Sequence, residues 1–98
     1  MRPVLHSDLT AAARVLLLEP EIKRSEIVSK MMQEAQYADR YTRRLGKPHP
    51  QWGNGTLAAA AQKYVMADEP SMDSSEYCKC LTLVLGSLVA RRTVDTIR

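Results

Sequence analysis

The sequence predicts an all-α protein, a compact bundle of about four helices with short connections, occupying residues 1–98 as a single domain. Three observations carry that expectation. Apolar residues recur at i, i+3, i+4 and i+7 in four separate windows; no window alternates convincingly with period two; and the breakers Pro20, Gly46, Pro48, Pro50 and Pro70 fall between the windows. A chain of 98 residues has room for one core, and four Gly and five Pro are too few for a turn-rich β-sandwich. With no Phe, the core must come from Leu, Val, Ile, Met and Ala.

The first helix takes Ser7 or Asp8 as its N-cap and runs to about Leu18, with Leu9, Ala12, Ala13, Leu16 and Leu17 as its apolar stripe. The second opens at Glu21 or Ser25 and runs to Leu45. Ile27, Val28, Met31, Met32, Ala35, Ala38, Tyr41, Thr42 and Leu45 form its stripe, while Lys30, Gln33, Asp39, Arg40, Arg43 and Arg44 lie off it. Gly46 supplies a left-handed C-terminal residue, and residues 48–54 read as a loop. The third helix opens near Asn54 or Thr56 and extends to about Asp68, placing Leu57, Ala60, Ala61, Tyr64 and Val65 on one side. The fourth begins at Asp73 or Ser74, where Asp73-x-x-Glu76 resembles a capping box, and continues through Leu81, Val84, Leu85, Leu88 and Val89 towards Ile97. Between residues 80 and 90 it is apolar almost all round, the pattern of a central or interface-buried helix.

Hydrophobic residues make up 45% and charged residues 26%, an ordinary globular composition. The longest apolar stretch, residues 80–90, is about half of the roughly 20 residues a bilayer crossing needs, and no secretory leader is evident, so a cytoplasmic protein with no membrane association is expected. Lys plus Arg is 14 against 11 for Asp plus Glu, a net charge of +3, which is thin support for a nucleic-acid binder. The one local concentration, Arg40, Arg43, Arg44 and Lys47, is a candidate basic patch. It ends the second helix, where cations complement the helix dipole. No recognition-helix turn or aromatic interleaving accompanies it, so nucleic acid is not expected.

Cys78 and Cys80 lie two apart on a helix, about 200° around its axis, which points one thiol inward and the other outward and prevents both from holding one tetrahedral ion. Neither histidine, His6 or His49, sits in a catalytic signature. Gly53-Asn54-Gly55 lacks the Lys-Ser or Lys-Thr of a phosphate loop. No catalytic residue, metal or cofactor is assigned.

The unusual passage is His49-Pro50-Gln51-Trp52-Gly53-Asn54-Gly55-Thr56, which holds the chain's single Trp. Trp52 is expected to plug one end of the bundle, with Gly53 and Gly55 making the turn and Asn54 or Thr56 capping the third helix, while His49 and Asn54 face solvent. As a candidate recognition loop it offers His49, Gln51, Trp52, Asn54 and Thr56. Together with the opening Met1-Arg-Pro-Val-Leu-His, this passage resembles a small helical bacterial family of unknown function. The resemblance implies a bacterial, cytosolic origin and assigns no catalytic residue.

Two functions remain. One is a non-enzymatic interaction or accessory module working through helix–helix contacts with a protein partner, itself or another, including a homodimer. The apolar excess of the fourth helix and the methionines Met31, Met32, Met66 and Met72 point there. The alternative is a small ligand-binding or catalytic domain centred on the 49–56 loop.

Overall fold

A computed structural model describes the backbone of residues 1–97 and the side chains of residues 1–92. Among the described residues there are four α-helices and no strand: α1 (His6–Leu17), α2 (Arg24–Leu45), α3 (Leu57–Ala61) and α4 (Ser75–Ile97), with one 3₁₀ turn at Glu21–Lys23. The all-α bundle read from periodicity is the observed fold. α1 packs against α4, α3 and α2, and α2 completes the bundle against α3 and α4.

The core follows the stripes. α1 contributes Ala12, Ala13, Val15 and Leu16; α2 contributes Val28, Met31, Met32, Ala35 and Ala38; α3 contributes Leu57, Ala60 and Ala61; α4 contributes Tyr77, Cys80, Val84 and Leu88. Each fully buried Leu, Val or Met stabilises the fold by about 1.5–3 kcal/mol, and alanines on α1 and α3 let those two backbones approach closely. Met31 and Met32 therefore fill the core rather than coat a surface, whereas Met72 is exposed.

Two boundaries differ from expectation, each for a local reason. α1 begins one turn earlier, with Leu5 as its N-cap residue. Asp8 is not the cap but sits inside the first turn, where its carboxylate accepts the Leu5 amide at 2.8 Å and the Ala58 amide at 2.9 Å, joining the starts of α1 and α3. α3 stops at Ala61 instead of reaching Asp68, because the chain turns away to pair with α1. The Ala67 amide donates to the Arg14 carbonyl, and Arg14 Nε donates back to the Ala67 carbonyl at 2.7 Å. Val65 is consequently 77% exposed rather than inward. At α4 the cap is Ser74, one of the two expected starts, whose Oγ accepts the Tyr77 amide; the expected Asp73-x-x-Glu76 capping box does not form, because Glu76 pairs with Arg24 and Lys79.

α4 is also not buried all round: Leu85 is 49% and Val89 63% exposed. On α2, Leu45 is exposed, and Asp39, expected off the stripe, is buried. Arg24 is buried as well. Its Nε donates to the Leu16 and Glu19 carbonyls, closing the C-terminal end of α1, and its Nη1 reaches Glu76 at 3.0 Å. Cys80 is buried and Cys78 exposed, the opposed orientation that the helix dictates. Burial pushes the Cys80 thiol up, which disfavours its thiolate.

Candidate aromatic recognition site

The loop that follows α2 closes on itself. His49 and Gly53 exchange backbone hydrogen bonds of 2.8 and 3.1 Å around the Pro50-Gln51-Trp52 turn. Gly53 (φ 81°) and Gly55 (φ 100°) hold the left-handed angles that close it. Gly55 is further required by proximity, since a Cβ there would lie 2.6 Å from the Asp39 Cα. The loop is thus pressed onto the middle of α2.

The opening residues lock it from the other side. The Arg2 amide donates to the Gly55 carbonyl at 2.9 Å, the Met1 ammonium lies 3.3 Å from the Asp39 carboxylate, and Arg43 meets the same carboxylate at 3.2 Å. The two stretches that carry the sequence resemblance are therefore in contact with each other.

His49 does not simply face solvent. It is half-buried, and its Nδ1 accepts the amides of Gln51 (3.0 Å) and Trp52 (3.2 Å), so the ring proton sits on Nε2. The imidazole stacks on the Trp52 indole, 4.7 Å between centroids and 8° from parallel. Tyr41 packs edgewise against His49 at 4.8 Å, and Tyr37 stands perpendicular to both rings of the stack, 5.6 Å from His49 and 5.5 Å from Trp52. Over Trp52 the Lys63 ammonium lies 5.7 Å from the ring centroid, while also donating to Gln51 Oε1. Trp52 is therefore half-buried in an aromatic corner against α2, not a plug in the end of the bundle.

The five loop residues divide. His49, Gln51 and Trp52, with Lys30, Gln33, Glu34, Tyr37 and Tyr41 of α2, line an open groove of about 800 Å³. Asn54 and Thr56 build the start of α3 instead. Thr56 Oγ1 accepts the Ala59 amide, and Asn54 Oδ1 accepts the Thr56 amide and hydroxyl. Glu34 accepts the Tyr64 hydroxyl at 2.8 Å; burial first and this carboxylate second push the Tyr64 phenol well above its usual range.

The basic patch divides too. Arg40 and Arg44 line a second, smaller groove with Tyr37, Tyr41 and Leu45, so the two tyrosines form the ridge between both grooves. Arg43 is drawn to Asp39, and Lys47 is exposed. Tyr37, Arg40, Tyr41 and Arg44 fall at i, i+3, i+4 and i+7, one helix face on which aromatic and basic residues do interleave. That spacing was the signal for this site, and reading Tyr41 as core concealed it. His6, in the first turn of α1, lies outside this corner and is exposed.

Among the described residues no group of His, Cys, Asp and Glu is placed to hold a metal, and no helix is long and apolar enough to cross a membrane. No curated protein and no solved structure matches the chain. A family described as Domain of unknown function (DUF7742) matches residues 2–88, the span that contains all four core stripes and the aromatic corner, and the chain belongs to that family.

Proposed function

We propose that this protein is a non-enzymatic binding module whose recognition surface is the aromatic corner formed by α2 and the 49–56 loop. One observation carries the reading: Tyr37 is 56% exposed yet held by edge contacts to two other rings. An aromatic ring fixed at the mouth of a groove offers contact area at little entropic cost. Gln33, Gln51 and Lys30 around it supply donors and acceptors that orient a ligand. Binding is favoured over catalysis because the His49 Nδ1 is already occupied by backbone, Glu34 is engaged by Tyr64, and no Ser, Thr or Cys lines the groove.

A second reading, self-association through helix–helix contacts, has its own observation. Leu5 (66% exposed) and Leu85 (49%) flank a groove of about 280 Å³ that Val4, Leu9 and Leu88 also line. Pairing that surface with a second copy would remove apolar area from water.

One experiment separates them. Amide spectra of ¹⁵N-labelled protein are recorded against small-molecule, nucleic-acid and protein fractions of a cell extract, and against increasing concentrations of the protein itself. Shifts at Tyr37, Tyr41, Gln51 and Trp52 support the aromatic corner. Concentration-dependent shifts confined to Leu5, Leu9 and Leu85 support self-association. Shifts in neither set overturn both.

A further inference from the structure

We propose that the Tyr37–Tyr41 ridge binds single-stranded nucleic acid, with bases stacking on Tyr37 and phosphates meeting Lys30, Arg40 and Arg44; this rests on the aromatic corner being a recognition surface. The ridge divides two grooves that share both tyrosines, one bearing Lys30 and the other Arg40 and Arg44. Among the described residues no carboxylate pairs with any of these three cations, in contrast to Arg43, which Asp39 holds. Glu34 lines the first groove beside Lys30, so the excess of positive charge lies on the Arg40–Arg44 side of the ridge, a groove that no carboxylate lines. The surface therefore combines unneutralised positive charge with an exposed ring fixed in place.

That combination is how proteins take single strands without sequence preference: cations track the backbone and aromatic faces stack unpaired bases. A proline-rich peptide also uses aromatic grooves, but it brings no charge that would meet three unpaired cations. Duplex bases are already stacked on each other and cannot stack on Tyr37. Trp52 itself is covered, by His49 on one side and Lys63 over the ring, so it acts as the support of the platform, with Tyr37 the contacting ring.

The test is fluorescence anisotropy with end-labelled oligo(dT), oligo(U), a duplex of equal length and an acidic proline-containing peptide, over a salt series. The expected result is saturable binding to the single strands at low salt, within the range of about 10⁻⁴ to 10⁻⁶ M usual for contacts of this kind, and about tenfold weaker on the duplex. The ratio of oligo(U) to oligo(dT) affinity then assigns RNA or DNA. Three phosphate contacts give a log–log salt slope near −2, and Arg40→Ala or Arg44→Ala each flattens it by about 0.7. Tyr37→Ala weakens binding by about 5- to 100-fold, and Tyr37→Phe restores it. Arg44→Glu, an exposed charge reversal that leaves packing intact, weakens it more than Arg44→Ala.

Three results would overturn the proposal: no saturable binding at about 100 μM, equal affinity of the parent and a folded Tyr37→Ala variant, or preference for the duplex or the peptide. If the oligonucleotides fail while an extract fraction still shifts Tyr37 and Gln51, the recognition surface stands and its nucleic-acid ligand falls. If both fail, both fall.

Discussion

The imidazole of His49 lies 4.7 Å from the Trp52 indole, nearly parallel to it, while its Nδ1 accepts the amide of the same Trp52. One side chain thus shapes the turn through two backbone hydrogen bonds and supports the indole that the turn presents.

His49→Ala should therefore cost about 2–3 kcal/mol, from two lost hydrogen bonds and a lost stack. Trp52→Ala should cost about 2 kcal/mol, less than a fully buried Trp, because its ring is half-buried. The double variant should lose less than the two single losses added together, by about 0.5–1.5 kcal/mol. Urea denaturation of the four proteins checks this; strict additivity would mean that the two rings act independently.

Two glycine substitutions should move stability in opposite directions. Gly55→Ala forces a Cβ to 2.6 Å from the Asp39 Cα at φ 100°, and should cost about 3 kcal/mol or more. Gly86 lies within α4, where a Cβ meets nothing within 4 Å, so Gly86→Ala should add about 1 kcal/mol and raise Tm by about 4–8 °C. Paired thermal melts decide both.

Leu85→Asp should leave the protomer folded at a cost below about 1 kcal/mol, since the residue is 49% exposed, whereas Val84→Asp, fully buried, should unfold it. Circular dichroism distinguishes the two variants. Sedimentation over a concentration series then shows whether Leu85→Asp removes a dimer that the parent forms. Unfolding of Leu85→Asp would mean that α4 is rotated from the placement described.

Alkaline stability should carry the mark of Tyr77. Burial first, and then its hydrogen bond to Glu69, push the phenol up to about 12 from 10.0. A raised value means that folding favours the protonated phenol, so this contribution is complete below about pH 10 and is lost as pH rises through about 12. Tyr77→Phe should flatten the loss of stability over that window; denaturant midpoints from pH 9 to 12 test it.

Thiol labelling of the native protein should modify Cys78 and spare Cys80, with both reacting in denaturant, because only Cys78 is exposed and burial raises the Cys80 thiol. Equal labelling rates at both positions would place Cys80 at the surface.

The bundle was legible wherever local chemistry decides local structure. The apolar stripes of α1 and α2, the left-handed Gly46 and the Thr56 cap are written in neighbours three or four residues apart. Structure set by distant partners was not legible. Gln62 and Lys63 could have continued a helix, but the Ala67 backbone is claimed by Arg14, 53 positions earlier. Asp39 reads as a solvated acid until Met1, Arg2 and Arg43 converge on it. The loop stands out in the sequence on its Trp and glycines, yet the ring that packs against it, Tyr37, sits on another element, and no spacing within 49–56 names it.

The packing of α1 on α4 has a consequence for how the chain is made. α4, which packs on α1 and shares a core cluster with Val15 and Leu16, is translated after α2 and α3. A nascent chain would keep the α4-facing part of α1 open to water, or to a chaperone, until α4 leaves the ribosome. The bundle cannot close helix by helix behind the exit tunnel; its closure waits on the long-range pairing of α1 with α4, which sets a slower folding step than a simple hairpin of adjacent helices.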